Sequence, residues 1–167
     1  MGQLNKILPL VLVFVLAGCG IYKFNDTSIA PDVHSISVYN IENKAMKVNP
    51  TLSNTLTVAL QDQYRKLTKL EMFEEGGDLE VSGYITSYEV TPTAVTSAEV
   101  AAQNRLTITV KITFKNNKHE EENFDRSFAA FQDFDSSISL DAVEAQLVDE
   151  IVEILVDDIF NATVANW

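Results

Sequence analysis

Cys19 is the residue of this chain whose possible chemistry is easiest to define, because it is the only cysteine. A thiol can attack as a nucleophile, bind a metal, form a disulfide or carry a covalently attached lipid. One cysteine cannot form a disulfide within its own chain or supply the several thiolates of a cysteine metal site. The choice among the remaining uses depends on the residues that precede it.

The segment before Cys19 has the composition of an export signal. Lys6 and the amino terminus supply positive charge, and residues 7–17, ILPLVLVFVLA, form an uncharged apolar core. This core is shorter than the roughly 20 residues that cross a bilayer, but it matches the about 7 to 15 residues of a secretory signal. The sequence LAGC resembles the bacterial lipobox, which is cut on the amino side of its cysteine. The resemblance implies a diacylglyceryl thioether on Cys19, and two or three acyl chains on one residue form a lasting membrane anchor.

These signals divide the chain into three predicted parts. Residues 1–18 are a lipoprotein signal peptide, residues 19–32 an acylated tether that ends after Pro31, and residues 33–167 a single domain. A chain of about 150 residues buries roughly 68 to 70% of its unfolded surface, which is enough for a packed core.

Neither of the two histidines belongs to a catalytic or metal-binding motif. His119 begins the run His119-Glu120-Glu121-Glu122, which follows a predicted turn and lacks the H-E-x-x-H spacing that directs two ligands to one ion. The sequence also lacks a G-x-S-x-G elbow and a glycine-rich phosphate loop. We therefore predict no catalytic residues, no metal site and no cofactor, and we interpret this run as a charged turn.

The charge balance argues against nucleic acid as a partner. The chain has 24 Asp and Glu residues against 12 Lys and Arg residues, for a formal charge of −12. Removal of residues 1–18 takes away only Lys6 and makes the chain more acidic. Nonspecific binding of a polyanion depends on positive surface charge, which this chain lacks overall.

Apolar periodicity predicts four strands and two helices. The clearest strand is NRLTITVKITFK, in which every second residue is apolar. Asn49 and Pro50 favour a helix start, because Asn caps free amides and Pro fits the first helical position. The predicted strands are 34–41, 79–92, 104–115 and 121–135, and the predicted helices are 50–67 and one from Ser139 or Asp141 to Phe160 or Asn161.

The order βαβββα predicts an α/β (α+β) fold. Both helices have one apolar stripe and the strands have one apolar face, so a two-layer sandwich buries all of them. We expect two helices packed on one face of a four-stranded mixed sheet. The first two strands are expected to be parallel, because a helix connects them, and the later hairpins to be antiparallel.

Two expectations concern which face a side chain occupies. Alternation in the second strand places Tyr88 on the face opposite the aliphatic residues of that strand. In the fourth strand the phenylalanines change parity between Phe128 and Phe131. A bulge near Ala129 or Ala130 would return both rings to one face.

Three basic residues, Arg105, Lys111 and Lys115, share the polar face of the third strand with several threonines. Lysine binds phosphate as a point charge and arginine as a fork, so these residues are candidate ligands of an anion. Surface lysines that prevent edge-to-edge aggregation give the same pattern, and the sequence alone leaves both interpretations open.

Five segments resemble the lipopolysaccharide-assembly lipoprotein family LptE in its Bacteroidetes form. They are CGIYKF (19–24), DLEVSGYITSYEVTP (78–92), AAQNRLTITVKITF (101–114), DFDS (133–136) and the ending IFNATVANW. The resemblance implies two helices on one face of a four-stranded sheet. It also implies a non-enzymatic lipoprotein held at the periplasmic side of the outer membrane. Such a protein would plug and help assemble the β-barrel LptD, and would assist transfer of lipopolysaccharide or lipooligosaccharide to the outer leaflet. Basic residues would then contact lipid A phosphates, and Arg105, Lys111 and Lys115 are the candidates because they cluster on one face.

Two other functions remain open at this point. One is an auxiliary lipoprotein of another envelope transporter that exports lipid or toxin. The other is a periplasmic lipoprotein enzyme acting on peptidoglycan or another glycan, which needs two carboxylates at a defined separation around a cleft.

Overall fold

The computed structural model describes residues 29–47, 49–93 and 102–164. Within them the chain forms six strands and two α-helices. In chain order these are β1 Ser35–Val38, β2 Glu42–Asn43, α1 Leu52–Leu67, β3 Glu71–Phe73, β4 Leu79–Thr93, β5 Gln103–Asn116, β6 Phe124–Asp135 and α2 Leu140–Val164. A single 3-10 turn, Glu120–Glu122, lies between β5 and β6.

All six strands belong to one mixed sheet. Its order is β3-β1-β4-β5-β6, and β2 also pairs with β4. Strand β1 is parallel to β3 and β4, whereas β4, β5 and β6 are antiparallel. The predicted α+β class and the pairing directions are confirmed, but the predicted number of four strands is wrong. Strands β2 and β3 have two and three residues, which is too short for an alternation to be recognised.

The core lies between the helices and one face of the sheet. Every second residue of β5 from Leu106 to Phe114 is buried, as its alternation predicts. Helix α1 contributes Leu52, Leu56 and Leu60, none of which is exposed to solvent. Burial of one such side chain contributes roughly 1.5 to 3 kcal/mol. The sheet therefore uses one face for folding, and its other face carries the polar residues of β5.

Helix α1 begins at Leu52, two residues after the predicted start at Pro50, but the predicted capping residue Asn49 does bind its first amides. The Asn49 side-chain oxygen accepts hydrogen bonds from the backbone N–H groups of Thr51 and Leu52, both at 3.0 Å. These bonds satisfy two donors that a helix start leaves free.

Helix α2 continues to Val164, beyond the predicted end at Phe160 or Asn161. Its last turn is held to α1 by a buried hydrogen bond of 2.6 Å between the Tyr64 hydroxyl and Thr163 Oγ1. The Tyr64 ring also packs on Phe160, with 5.3 Å between the ring centroids. The partners of the last turn come from α1, so the periodicity of α2 alone could not indicate where it ends.

The bulge predicted in β6 is wrong. The pairing of β5 with β6 is continuous from Phe114 and Phe124 to Gln103 and Asp135. Phe131 therefore points to the open face, where its side chain is 48% exposed. The Arg105 guanidinium lies 3.7 Å from the centroid of its ring, and this cation–π contact explains how an aromatic ring is accommodated there.

The irregularity of the sheet lies in β4 instead. Ile85 pairs with Val110 and Ser87 with Thr109, so Thr86 is an extra residue on the β4 side. One extra residue reverses the facing of all that follow. Tyr88 consequently points into the core and is 3% exposed, which corrects the expectation that it faces away from the aliphatic residues of its strand.

Among residues 29–47, 49–93 and 102–164, neither helix combines the length and the apolar character that a membrane crossing requires.

Candidate functional surface

The face of the sheet opposite the helices is lined with hydroxyl groups. Cross-strand pairing places them on the same side of β4, β5 and β6 as Lys111. Two of them bond within the sheet: Thr93 Oγ1 donates to the Gln103 carbonyl at 2.9 Å, and Thr113 Oγ1 donates to the Asp125 carboxylate. The hydroxyls of this open face are Ser82, Ser87, Thr91, Thr93, Thr107, Thr109, Thr113 and Ser127.

Lys111 lies near the middle of this open face. It pairs across the sheet with Tyr84 of β4 and Ser127 of β6. Within the described part of the chain, Lys111 forms no salt bridge. A second lysine, Lys44, places its Nζ 4.7 Å from the centroid of the Tyr84 ring and 3.1 Å from a Glu42 carboxylate oxygen. The centre of the face therefore combines an aromatic ring with a lysine on each side of it.

Arg105 is held by an acidic neighbour. Its Nε and Nη2 donate to the two carboxylate oxygens of Asp133 at 2.7 and 2.9 Å. These hydrogen bonds lower the pKa of Asp133 and raise the pKa of Arg105. Because the fork of the guanidinium is occupied by Asp133 and its plane covers Phe131, the charge of Arg105 is largely offset.

Lys115 is exposed and pairs across the sheet with Glu80. At about 3.4 Å per residue, its backbone lies roughly 14 Å from that of Lys111, and Arg105 lies roughly 20 Å away on the other side. All three predicted residues occupy the open face, but they do not converge on one pocket. Lys111 is the one whose surroundings are least acidic.

The sequence alone does not indicate that Arg105 is paired with Asp133 or that Lys111 lies beside Tyr84. Asp133 is 28 residues from Arg105 in the chain, and Tyr84 lies on a different strand from Lys111. Only the cross-strand register could indicate these neighbours. For Arg105 and Asp133 that register holds because β6 has no bulge.

The run that begins at His119 binds protein groups rather than forming a cluster of ligands. His119 Nε2 lies 3.0 Å from an Asp32 carboxylate oxygen, and this hydrogen bond raises the pKa of His119 and lowers the pKa of Asp32. In the part of the chain that the structure describes, no group of three or more His, Cys, Asp or Glu side chains is arranged to hold a metal ion.

The His119 to Asp32 contact also locates the end of the predicted tether. Ile29 and Ala30 pack against the core, and Asp78 accepts hydrogen bonds from the His34 and Ser35 amides at 2.9 and 3.2 Å. Residues 1–28 lie outside the described residues. The signal peptide, the first part of the tether and the acylation of Cys19 therefore stay predictions.

Comparison with known proteins decides the family. A family model described as LptE, lipopolysaccharide-assembly, matches residues 33–163. The chain belongs to the LptE family. The predicted resemblance is thereby confirmed, and membership supports a role in lipopolysaccharide assembly within a family of non-enzymatic envelope lipoproteins. A search of curated proteins finds no match.

Solved structures agree on the fold. The hypothetical protein CT253 from Chlamydia trachomatis superposes with a TM-score of 0.56 at 9% identity, over 78% of this chain and 97% of that one. Rare lipoprotein B from Shewanella oneidensis gives 0.50 at 11% identity, over 77% and 90%. A minor lipoprotein from Acinetobacter baumannii is also similar, with a TM-score of 0.45 at 13% identity, over 76% and 89%. At these identities the first two likenesses extend to the fold alone.

Proposed function

We propose that this LptE-family chain is a lipoprotein of the outer membrane that occupies the lumen of an LptD-type β-barrel. There it helps the barrel assemble and assists the passage of lipopolysaccharide or lipooligosaccharide to the outer leaflet. It acts by binding and positioning, without making or breaking bonds. Cys19 carries the lipid that holds it at the periplasmic side of the membrane.

The family match over residues 33–163 is the observation that carries this proposal. The architecture is compatible with it, because the helices and one sheet face complete the core and leave the other face free for contacts. That free face is polar and rich in hydroxyl groups, which suits a sugar-bearing and phosphate-bearing ligand.

Phosphate contact is proposed for Arg105, Lys111 and Lys115, with Lys111 as its centre. Lys111 has no acidic partner in the described part of the chain, and Lys44 lies beside the same tyrosine ring. Lys115 extends this positive region along β5. Arg105 contributes only if a phosphate replaces Asp133 on its guanidinium, because that carboxylate now occupies the fork.

The partner is tested by isolating the acylated protein from its native membranes in a mild detergent. Mass spectrometry of what comes with it is expected to find one LptD-type barrel in a stoichiometric amount. An inner-membrane transporter in place of the barrel would refute the proposal and favour an auxiliary lipoprotein of another envelope transporter. Absence of any partner would also count against the plug.

The lipid contact is tested by charge reversal. The variant Lys111→Glu/Lys115→Glu is expected to retain the barrel but to lose most of the lipopolysaccharide that copurifies with the complex. Lys66→Glu/Lys69→Glu is the matched control, because it changes the charge by the same amount at exposed positions away from the open face. Equal lipid retention in both variants would show that Lys111 and Lys115 do not bind the ligand.

The anchor is tested with Cys19→Ser. This variant lacks the thiol that forms the thioether, so we expect it to leave the membrane fraction and to incorporate no labelled fatty acid. Wild-type protein is expected to sediment with the outer membrane on a density gradient. Membrane attachment of Cys19→Ser equal to that of wild type would contradict acylation at this residue.

A further inference from the structure

Strand β6 forms one edge of the sheet over its whole length. It is the last strand in the order β3-β1-β4-β5-β6, and its 12 residues run from Phe124 to Asp135. The opposite edge is β3, which has only 3 residues. Native proteins usually keep edge strands short or place proline, lysine or a bulge in them, because an unpaired edge can bind another strand. Strand β6 contains no proline or lysine, and its pairing with β5 is continuous.

A hydrogen bond at the end of β6 shows which of its backbone groups point outward. Ser136 continues the register of β6 with β5 by one residue, and its amide donates to the carbonyl of the opposite residue, Ala102, at 3.0 Å. Along an antiparallel ladder, residues bonded in this way alternate with residues whose N–H and C=O point away from the partner strand. The even-numbered residues of β6 therefore bond to β5. The odd-numbered residues direct their N–H and C=O groups outward: Asp125, Ser127, Ala129, Phe131 and Asp133.

In the part of the chain that the structure describes, these outward backbone groups bond to no other segment. At the end of the strand the Asp135 carbonyl accepts the Ile138 amide at 3.1 Å, so the free edge ends at Asp133. All five odd-numbered residues up to Asp133 are exposed. A strand laid beside β6 would bond to their donors and acceptors in a second ladder.

The side chains of the same residues define the strand that would fit. They form a row on the open face that is acidic at both ends, at Asp125 and Asp133, and uncharged between them. Phe131 has Thr107 as its neighbour on the β5 side and is 48% exposed, so its outer side can take a cross-strand neighbour. Asp125 forms no salt bridge within the described ranges. A fitting strand has an aromatic or aliphatic residue beside Phe131 and a lysine or arginine beside Asp125.

A second copy of this chain fits the edge poorly. When two β6 strands pair antiparallel with matching faces and the greatest overlap, Asp125 of each copy lies opposite Asp133 or Asp135 of the other. Like charges directly opposite each other destabilise a sheet. The formal charge of −12 on each full chain adds to the repulsion. The charges of the edge therefore oppose self-pairing and favour a strand of positive charge.

We propose that the free edge of β6 binds an extended, basic segment of a partner protein as a further strand of the sheet. Backbone hydrogen bonds to the odd-numbered residues supply affinity, and contacts with Phe131 and Asp125 select the segment, as in other complexes formed by strand addition. From Asp125 to Asp133 the edge is about nine residues long, or roughly 27 Å at about 3.4 Å per residue. Neither the proposed barrel nor the proposed lipid contact is needed for this interaction.

The test uses the mature chain, residues 19–167, with Cys19→Ala so that only the lipid attachment is lost. The probe is the synthetic nine-residue peptide KTYTVTTTK, which places Tyr opposite Phe131 and Lys opposite Asp125 when it pairs antiparallel. At a peptide concentration about ten times the dissociation constant, amide hydrogen exchange measured by NMR is expected to slow about tenfold at Ser127, Ala129 and Phe131. The amide of Ala130 already bonds to β5 and is expected to change less.

Two N-methylated peptides separate backbone pairing from attraction by charge. Methyl groups on positions 3, 5 and 7 remove N–H groups that would face β6, whereas methyl groups on positions 4, 6 and 8 remove N–H groups that would face away from it. Both peptides keep the two lysines. We expect the first to bind at least about tenfold more weakly than the unmodified peptide, and the second to bind within about threefold of it.

A variant of the protein tests the same contact from the other side. Ala129→Pro removes one outward N–H and keeps the N–H groups that bond to β5, which is the position where an edge strand tolerates proline. Ala129→Val is the matched control, because it also changes the side chain but keeps the donor. We expect only Ala129→Pro to weaken binding of the peptide. Slow exchange of the Ala130 amide in both variants checks that β6 remains paired with β5.

Four results would overturn the inference. Equal binding of the two methylated peptides would mean that charge alone attracts the probe. Unchanged exchange at Ser127, Ala129 and Phe131 would show that no strand is added at this edge. Slow exchange of these amides without peptide, lost on deletion of residues 20–28, would assign the edge to the amino-terminal segment of the chain itself. A dimer that Ala129→Pro dissociates in analytical ultracentrifugation would assign it to a second copy.

Discussion

The buried contact between Tyr64 and Thr163 predicts an unequal response to two conservative substitutions. Tyr64 is fully buried, and Thr163 Oγ1 also contacts the carbonyls of Ile159 and Phe160 at 3.0 Å. Tyr64→Phe leaves Thr163 with these partners, so it is expected to lower the free energy of unfolding by about 0.5 to 1.5 kcal/mol. Thr163→Val strands the tyrosine hydroxyl in the core, which costs about 1 to 3 kcal/mol.

The double variant completes the test. With both polar groups gone no hydroxyl is left unsatisfied, so Tyr64→Phe/Thr163→Val is expected to cost less than the sum of the single changes. Urea unfolding followed by circular dichroism measures all four proteins. Additivity within about 0.3 to 0.5 kcal/mol, or a smaller cost for Thr163→Val than for Tyr64→Phe, would refute the reasoning.

The same tyrosine makes the stability of the domain depend on alkaline pH. Burial raises the pKa of Tyr64 above its ordinary value of 10. The contribution of the neutral hydroxyl is complete below pH 10, and it is lost as the pH rises, because the unfolded chain then releases its proton first. Unfolding at pH 9 and pH 11 should show a smaller decrease for Tyr64→Phe than for wild type. An equal decrease would mean that the hydroxyl is reached by solvent.

Three further perturbations test other parts of the structure. Gly83→Ala would place a methyl group 2.2 Å from the Lys111 carbonyl, so we expect a loss of about 1 to 3 kcal/mol in urea unfolding, and wild-type stability would contradict the close approach of β4 and β5. His119→Gln should lower stability most between the ordinary pKa values of Asp32 and His119, 3.8 and 6.5, and progressively less outside this range. The lowered pKa of Asp32 gives a contribution that is lost as pH falls, and the raised pKa of His119 gives one that is lost as pH rises. In thermal melts, the loss of stability caused by His119→Gln should be larger at pH 5 than at pH 8.5. An equal loss at both pH values would exclude the ion pair. Leu60→Ala should cost about 2 to 5 kcal/mol by chemical denaturation, and a cost under 1 kcal/mol would place Leu60 outside the core.

The sequence predicted those elements of the fold that have a recurring apolar pattern. The alternation of β5 and the apolar stripes of both helices recur over many residues, and the structure has all three. Strands β2 and β3 were missed because their few residues form sheet only where longer strands already offer an edge, which is a tertiary effect with no local period.

The wrongly predicted bulge shows why the sheet face that a side chain occupies is harder to predict than the position of its strand. The change of parity between Phe128 and Phe131 predicts a register shift in β6, whereas in the structure Arg105 covers Phe131 and the extra residue is Thr86 in β4. Alternation cannot reveal the Thr86 bulge, because a tyrosine such as Tyr88 is plausible on either face. The candidate site shows the same difference between local pattern and register. Alternation within β5 places Lys111 on the open face, but the pairing of Arg105 with Asp133 requires the register of β5 with β6.

Because side chains alternate along β5, consecutive residues lie either in the core or on the open face that is proposed to bind lipid. Ile112 is fully buried against the helices, while its neighbour Lys111 points to the open face. A change at Ile112 acts on the core, whereas surface substitutions away from caps and buried networks usually alter stability by no more than about 0.5 kcal/mol. A loss of ligand in a Lys111 variant can therefore be attributed to the open face. The exposed carboxylates Asp149 and Glu153 belong to the helical layer, so substitutions there leave the open face unchanged.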